Sequence, residues 1–454
     1  MISNMTVIAL PDISLELYFS ADVILWINLI YLMTFVALSL PFAKIISQYG
    51  VKKCTKTSLL LLFVSLLISI FAISDHMFLL SRMIQGVSAA ALAISIYVMI
   101  VEEFGENELG TALGVVASSG YIGMLIAPAF MGFMIYFASW RFAFLILIPI
   151  IIISLILLNR IEAEWASEKK PIDNIGSLIY VIMMVLFAYG LTVLNEYGIV
   201  FIIGSLILMV ALFKVIKRAK EPMINLNLLK NKPYVIGNYA TMATYFTITI
   251  AITALSFHLQ YIMDFEEYIV SLVLIIAPII MIGMSNISGK LSNKYDPRLI
   301  SAVAMGFIFT SMVMYAFVDQ LSFELILLAC AFQGIGNGLF SAPNNKFVLT
   351  IIDEKDLADG SSILSTSKEF GKIVSSGIYT LILSIYIGNQ SLGPEYLDDL
   401  LIISTNHMMI ICSIVAFSAM VLLLYSKYRF NLNINEDIIN LFKSLTPKRL
   451  KRED

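Results

Sequence analysis

Long apolar runs, separated by short polar breaks, follow one another along the chain. A helix needs about 20 residues to cross a bilayer core that is roughly 30 Å thick. The runs are too long for barrel strands and do not alternate, so helices are expected. The pattern predicts thirteen spanning helices, at about 22–46, 57–74, 77–101, 109–137, 140–159, 174–194, 198–217, 234–262, 267–288, 299–318, 323–350, 358–386 and 402–426.

The chain opens with a shorter apolar run, MISNMTVIAL, which is followed by Pro11 and Asp12. Ten helical residues extend only about 15 Å, half the thickness of a bilayer core. We therefore expect this run to be the outer half of a first span that ends near Pro11. Its inner half, roughly 12–20 residues, is expected to be missing through a mis-assigned start or a truncation.

Lysine and arginine are concentrated in particular breaks between the runs. The basic breaks are 52–53, 169–170, 214–232, 290–298 and the tail from residue 427. Breaks such as SDHM, NEYG and MDFEEY contain neither residue, and Arg141 is the exception on that side. The positive-inside rule then predicts a multi-pass protein of the cytoplasmic membrane with a cytoplasmic C-terminus. The tail, 428–454, is either a basic amphipathic helix on the membrane or a solvated segment.

Composition agrees with this pattern and excludes several functions. Hydrophobic residues make up 59% of the 454 residues and charged residues 13%, whereas soluble domains carry about 25% charged residues. The net charge of −3 is dispersed along the chain, which argues against a nucleic-acid partner. The three cysteines and three histidines show no metal-binding spacing. A Walker-type phosphate loop and a nucleophile–base pair are both missing from the sequence, so neither an ATP-driven pump nor an enzyme is expected.

Two similar loops lie roughly half the chain apart. The first, SQYGVKK, contains Gly50 and Lys52. The second, GKLSNKYDPR, repeats the pattern with Gly289, Asn293, Lys294 and Arg298. Secondary transporters are built from such repeats, with the substrate site between them, so these residues are candidate gating-loop positions.

Ionisable and polar residues within the apolar runs are candidates for function, because burying them in a membrane is costly. Arg82 and Gln85 lie in LLSRMIQG, where the arginine either faces a polar cavity or is bonded to backbone carbonyls. Lys368 and Glu369 lie about three turns into the penultimate run, and Lys372 follows them. These lysines and the glutamate either carry the transport chemistry or neutralise one another. Further cavity candidates are His258, Gln260 and Asn337.

Small residues recur in the run GYIGMLIAPAFMGF. Gly123, Ala127, Pro128 and Gly132 follow one another at intervals of one to four residues, and such residues allow close helix packing and a bend. The alternative interpretation is a plain packing seam.

Taken together, these motifs resemble those of major facilitator superfamily drug exporters. Arg82 and Gln85 match the fourth-helix motif, and Gly123 to Gly132 match the antiporter motif with two of its glycines replaced. The two runs at 174–194 and 198–217 separate the halves, as in the fourteen-helix drug–proton antiporters. The resemblance implies an all-α membrane protein with two six-helix bundles and two extra central helices. The implied divisions are 1–160, 161–220, 221–427 and the tail 428–454.

The same resemblance implies roles for these residues. Arg82 is associated with proton coupling in the family, and the Pro128 helix closes the cavity on its outer side. Beyond the two replaced glycines, Ser47 and Gln48 replace the aspartate and arginine of the first loop, and Ile2 replaces the acid of the first helix. The candidate for carrying the proton is therefore Glu369 or a residue outside the given sequence.

The resemblance implies proton-coupled export of small amphipathic compounds, including drugs, by alternating access. The energy source is the proton gradient and no cofactor is expected. The expected partners are the substrate, protons and the lipid bilayer, and the expected state is a monomer. Two alternatives remain open, a carrier for one defined metabolite and a non-transporting membrane receptor or degenerate relative.

Overall fold

The computed structural model describes residues 2–19, 21–162, 173–193, 197–219, 222–319, 323–388 and 398–426. Within them, thirteen helices are long and apolar enough to cross a membrane. This confirms the number of full spans that the apolar pattern predicts. The tail from residue 427 and the basic pair 169–170 lie outside the described residues.

The first six helices pack together as one bundle. Helix α2 packs on α4, α4 on α3, α3 on α6, and α1 on α5. The helices are Ile2–Glu16 (α1), Ala21–Tyr49 (α2), Val51–Ile70 (α3), Asp75–Glu103 (α4), Glu106–Phe137 (α5) and Trp140–Arg160 (α6). Phe78, Ala127, Trp140 and Phe144 belong to the buried core of this bundle.

Helix α1 does not end at Pro11 and Asp12, where the apolar run stops, so that prediction was wrong. It continues to Glu16, whose carboxylate accepts a hydrogen bond from the indole Nε1 of Trp140 at 2.6 Å and pairs with Arg141. Arg141 also donates to the backbone carbonyls of Ile70 and Ala72, both at 2.9 Å. These contacts with the start of α6 stabilise the last turn of α1. A local hydrophobicity pattern cannot predict them, because they join residues far apart in the sequence.

Two further helices separate the first bundle from the second. They are Asn174–Thr192 (α7) and Gly198–Arg218 (α8), and they pack on each other. Helix α7 also contacts α2, where the hydroxyl of Tyr180 donates to the carbonyl of Val36 at 3.1 Å. The pair therefore lies beside the first bundle instead of forming a separate unit.

The second bundle contains the remaining helices. They are the short Leu226–Lys230 (α9), Lys232–Phe257 (α10), Glu267–Leu274 (α11), Ile276–Leu291 (α12), Pro297–Tyr315 (α13), Phe323–Thr350 (α14), Leu357–Ile387 (α15) and Asp398–Tyr425 (α16). One π-helical turn, His258–Ile262, extends α10. The run at 267–288 is interrupted at Ile275, because Pro278 has no N–H to donate to the carbonyl one turn earlier.

Polar residues in the breaks start several helices. In five helices, a side-chain oxygen of the residue before the helix accepts a hydrogen bond from a backbone N–H of the first turn. The capping residues are Ser74 for α4, Ser139 for α6, Asp173 for α7, Asn231 for α10 and Asp296 for α13. Such caps satisfy N–H groups that have no partner within the helix. The breaks are therefore short and well defined.

The two bundles meet where α5 packs on α12 and α14, and where α15 packs on α2 and α4. Helices α2, α8 and α12 all finish at one end of the assembly, beside the lysine- and arginine-rich breaks. We call this the basic end, and it is the end for which the sequence predicts a cytoplasmic location.

Candidate functional site

Helix α15 carries three charged residues to the junction of the bundles. Lys372 Nζ lies 2.8 Å from Glu369 Oε1, and 13% of the Glu369 side chain is exposed. Lys368 Nζ instead donates to the hydroxyl of Tyr97, on α4 of the other bundle. The sequence left open whether these lysines and Glu369 neutralise one another. In the structure Lys372 pairs with Glu369, while Lys368 contacts the other bundle.

Tyrosine rings surround these charges. Lys368 Nζ lies 4.6 Å from the ring centroid of Tyr97 and 5.7 Å from that of Tyr245, while Lys372 Nζ lies 5.4 Å from the Tyr245 ring. Tyr121 of α5 donates to the backbone carbonyl of Asn337 of α14 at 3.1 Å. We call this set the central cluster: Tyr97, Tyr121, Tyr245, Asn337, Lys368, Glu369 and Lys372.

Several polar atoms of the central cluster have no hydrogen-bond partner within the described part of the chain. They are Glu369 Oε2 and both amide atoms of Asn337, a residue with 1% of its surface exposed. Leaving such an atom unsatisfied costs about 1–3 kcal/mol, so native structures rarely tolerate it without a reason. The cluster therefore retains the capacity to bind a polar ligand.

Arg82 is completely buried in the first bundle. Its Nη1 donates to Gln85 Oε1 at 2.7 Å and its Nε to the carbonyl of Ile27 at 3.2 Å. Its guanidinium lies 4.8 Å from the ring centroid of Tyr31 of α2. Arg82 thus has the structural contacts that the sequence allowed for.

The structure places one small residue of the antiporter motif, Ala127, in the core of the first bundle. Ala127 is fully buried with the core residues of α1, whereas an added Cβ on Gly132 would meet nothing within 4 Å. Gly123 is half-buried, and the side chain of Pro128 lies outside the described residues.

The two bundles also approach each other closely near the start of α5. A Cβ added to Gly289 of α12 would lie 2.5 Å from the carbonyl oxygen of Gly110 and 3.0 Å from the Cα of Gly114. We call these three residues the glycine seam. One of them, Gly289, is a predicted gating-loop residue. The other two, Gly110 and Gly114, are not among the predicted site residues.

The other predicted loop residues have different surroundings. Gly50 has a φ of 89°, which favours glycine, at the turn between α2 and α3. Lys52 donates to the carbonyl of Ile161, and Lys294 is exposed. Arg298 pairs with Asp296 at 3.1 Å and donates to the carbonyl of Ser426, so its contacts remain within the second half of the chain.

Asn293 joins the two bundles at the basic end. Its Oδ1 accepts hydrogen bonds from the backbone N–H of Gly110 and from Lys346 Nζ, both at 2.9 Å, and its Nδ2 donates to Thr111 Oγ1 at 2.9 Å. Lys346 Nζ also donates to the carbonyls of Glu106 at 2.6 Å and Ser292 at 3.1 Å.

A second contact joins α2 and α15 at the same end. Lys44 Nζ lies 2.7 Å from Asp359 Oδ2, with 14% and 6% of the two side chains exposed. Together with the Lys346–Asn293 contacts, this pair closes the basic end. Lys44, Lys346 and Asp359 are not among the candidates predicted from the sequence, although each is an ionisable residue within or beside an apolar run, which was the signal that could have identified them.

The central cluster lies deeper than this closed end. Nine residues of α15 separate Asp359 from Lys368, which corresponds to about 13 Å along a helix. A third of the Lys372 side chain, 33%, is nevertheless exposed. The cluster therefore lies beyond the closed basic end, and part of its Lys372 side chain remains exposed.

His258 and Gln260 lie away from the central cluster. His258 is buried in the π-helical turn, and its Nε2 lies 3.2 Å from the backbone carbonyl of Asp319. Gln260 Nε2 lies 3.4 Å from Ser256 Oγ of the preceding turn. Both contacts are within the second bundle, so these two cavity candidates are not brought together with Lys368 and Glu369.

Comparisons with known proteins identify the family. The model of the Major Facilitator Superfamily matches residues 1–376. The riboflavin transporter RibZ of Clostridioides difficile (strain 630) is 24% identical over 379 residues, which cover 82% of each chain. The drug efflux pump JefA of Mycobacterium tuberculosis (strain ATCC 25618 / H37Rv) is 21% identical over 397 residues, covering 85% of this chain and 78% of that protein.

The fold agrees with a solved structure of the same superfamily. The proton:xylose symporter XylE bound to 6-bromo-6-deoxy-D-glucose superposes with a TM-score of 0.61 at 12% identity, covering 91% of this chain and 90% of that chain. The family match over most of the sequence and the two bundles around a central polar cluster lead to one conclusion: the chain belongs to the Major Facilitator Superfamily and is a membrane transporter.

Proposed function

We propose that this transporter is a proton-coupled exporter of small amphipathic compounds, of the fourteen-helix drug–proton antiporter type. The observation that carries the proposal is the position of Glu369, a carboxylate at the junction of the bundles with one lysine partner and one unpaired oxygen. The antiporter-like motif of α5, the extra helices α7 and α8, and a relative named as a drug efflux pump support it.

Protonation of Glu369 changes the contacts of the central cluster. The ionised carboxylate pairs with Lys372, while the neutral acid loses most of that attraction. Lys372 also lies beside the ring of Tyr245 of the second bundle, while the neighbouring Lys368 contacts Tyr97 of the first bundle. A proton on Glu369 therefore changes the charge balance of a cluster that contacts both bundles, as coupling to a rocking motion requires.

Alternating access then requires the basic end to open. The Lys44–Asp359 pair, the Lys346–Asn293 contacts and the glycine seam close that end in the present conformation. Rocking of the bundles would separate these contacts and make the central cluster accessible from the basic end. We propose that export consists of this movement, with a proton exchanged for the substrate.

Purified protein in proteoliposomes provides the test. A pH gradient is imposed, and movement of a fluorescent amphipathic panel is measured for the wild type and for Glu369→Gln. We expect gradient-driven movement in the wild type and its loss in the variant, while exchange of labelled for unlabelled compound persists without a gradient. The matched control, Glu354→Gln, changes an exposed acid between α14 and α15 and should behave as the wild type.

Two results would count against the proposal. One is the absence of gradient-driven movement for the whole panel, and the other is an unchanged response in Glu369→Gln. A second candidate function is a carrier for one defined metabolite, which the relative named as a riboflavin transporter favours. A panel in which a single compound accounts for nearly all transport would support that candidate.

A further inference from the structure

The central cluster contains more positive than negative charge. Lys368 and Lys372 face a single carboxylate, Glu369, and that carboxylate is already paired with Lys372 at 2.8 Å. Within the described part of the chain, no carboxylate pairs with Lys368. Its ammonium group contacts the hydroxyl of Tyr97 and the ring faces of Tyr97 and Tyr245.

An ammonium group within a membrane protein requires compensation for the water that it has lost. A neutral phenol hydroxyl and two ring faces at 4.6 and 5.7 Å compensate weakly compared with a charged partner. An anionic ligand would therefore stabilise the ammonium group of Lys368 more than that of Lys372, which already has a charged partner. A cationic ligand, by contrast, would meet two lysines and a carboxylate that is already neutralised.

The surroundings of Lys368 also suit an aromatic ligand. Tyr97 and Tyr121 come from α4 and α5 of the first bundle, and Tyr245 comes from α10 of the second. The unpaired amide atoms of Asn337 add a donor and an acceptor beside Tyr121. Because the rings of Tyr97 and Tyr245 lie beside this ammonium group, an anionic ligand bound to it can place its own ring against them.

We propose that the central cluster binds amphipathic compounds that combine an aromatic ring with an anionic group such as a carboxylate, sulfonate or phosphate. Lys368 binds the anionic group, and Tyr97 and Tyr245 contact the ring. This inference rests on the proposed function, because it takes the cluster to be the transporter's substrate site. It narrows that function to a substrate class and excludes amphipathic cations as the preferred ligands.

Three probes that share one ring system test the charge preference directly. They are 2-naphthalenesulfonate, 2-naphthalenemethanol and (2-naphthylmethyl)trimethylammonium, measured by equilibrium binding to the purified full-length protein in nanodiscs without a pH gradient. We expect the anion to bind about tenfold or more tightly than the other two, as a charge-assisted contact in a partly dry site allows. Equal affinities, or preference for the cation, would overturn the inference.

Variants then locate the preference. Lys368→Met removes the charge but keeps an unbranched side chain, and should reduce the affinity for the sulfonate about tenfold while leaving the alcohol unchanged. Lys368→Arg should retain the preference. The control Lys355→Met removes an exposed lysine on the loop before α15 and should leave all three affinities unchanged. Tyr245→Leu should weaken all three probes together and preserve their order.

The results distinguish this inference from the proposed function. Unchanged sulfonate binding in Lys368→Met, with a normal melting profile, overturns the anion site even if pH-driven transport is observed. Transport of cations only, driven by a pH gradient, also overturns the anion site while supporting proton-coupled export. Lys368-dependent sulfonate binding without any gradient-driven movement supports the anion site and contradicts the proton coupling.

Discussion

At the scale of single residues, the network around Arg82 shows how a membrane protein accommodates a buried cation. Arg82 and Gln85 lie one turn apart on α4, so the amide oxygen of Gln85 lies within reach of the guanidinium. Gln85 Nε2 then donates to Ser69 Oγ of α3 at 3.1 Å. Gln85 therefore connects the buried charge to a second helix.

This arrangement predicts the effect of Gln85→Met, which keeps the side-chain length but removes both amide hydrogen bonds. Loss of the acceptor for a buried charged donor should destabilise the bundle by about 1–3 kcal/mol. We expect a clearly lower midpoint in thermal unfolding of the detergent-solubilised protein. The control Ser88→Ala removes a buried hydroxyl that bonds to the Ile84 carbonyl of its own helix, and should have little effect. Equal shifts in the two variants would contradict the network's role.

At the scale of helices, the glycine seam decides how closely α5 and α12 approach. The sequence pointed to Gly123 and Gly132, because small residues at regular spacing favour close packing. Which glycine actually faces another helix depends on how each helix is rotated about its axis, and this is set by contacts across the whole bundle. The positions of Gly110 and Gly114 against Gly289 were therefore not predictable from the spacing within one run.

The close packing at the glycine seam predicts that Gly289→Leu disturbs the contact between α5 and α12. A side chain there would lie within 3.0 Å of α5 backbone atoms, so the closed basic end should become unfavourable and the bundles should separate. Spin labels at the exposed Glu108 and Lys294, in a background without Cys54, Cys330 and Cys412, would report this as a longer distance. The control is Gly283→Leu on the same helix. A Cβ added to Gly283 has no neighbouring atom within 4 Å, so the larger side chain should be accommodated. A longer distance in both variants, or in neither, would argue against the seam.

At the scale of the whole molecule, hydrophobicity predicts the spans because each helix must match the bilayer by itself. The thirteen spans and the short capped breaks follow from that local requirement. The pairing of Lys44 with Asp359 does not, since 315 residues separate them and neither local sequence identifies the other residue as its partner. The site likewise depends on Tyr97 meeting Lys368 across the junction, which only the packing of the two bundles determines.

The ion pair between Lys44 and Asp359 gives the last prediction, which concerns the balance between the two states of the transporter. Because both side chains are largely buried, Asp359→Asn leaves the ammonium group of Lys44 without its charged partner only while the basic end is closed. Opening that end hydrates the lysine, so the variant should shift the population toward the open state. A loss of about 1.4 kcal/mol from the closed state would change the ratio of the two states tenfold.

Spin labels at the exposed Lys53 and Lys355 measure this ratio across the α2–α15 junction. We expect a longer-distance population in Asp359→Asn and in Lys44→Met, and its partial reversal when Lys44→Asp and Asp359→Lys are combined. Reversal by the exchanged pair separates an electrostatic contact from a purely steric one, because a double-mutant cycle isolates the energy of the pair. If the exchanged pair opens as far as the single variants, the contact does not hold the basic end closed, and the Lys346–Asn293 contacts and the glycine seam must do so alone.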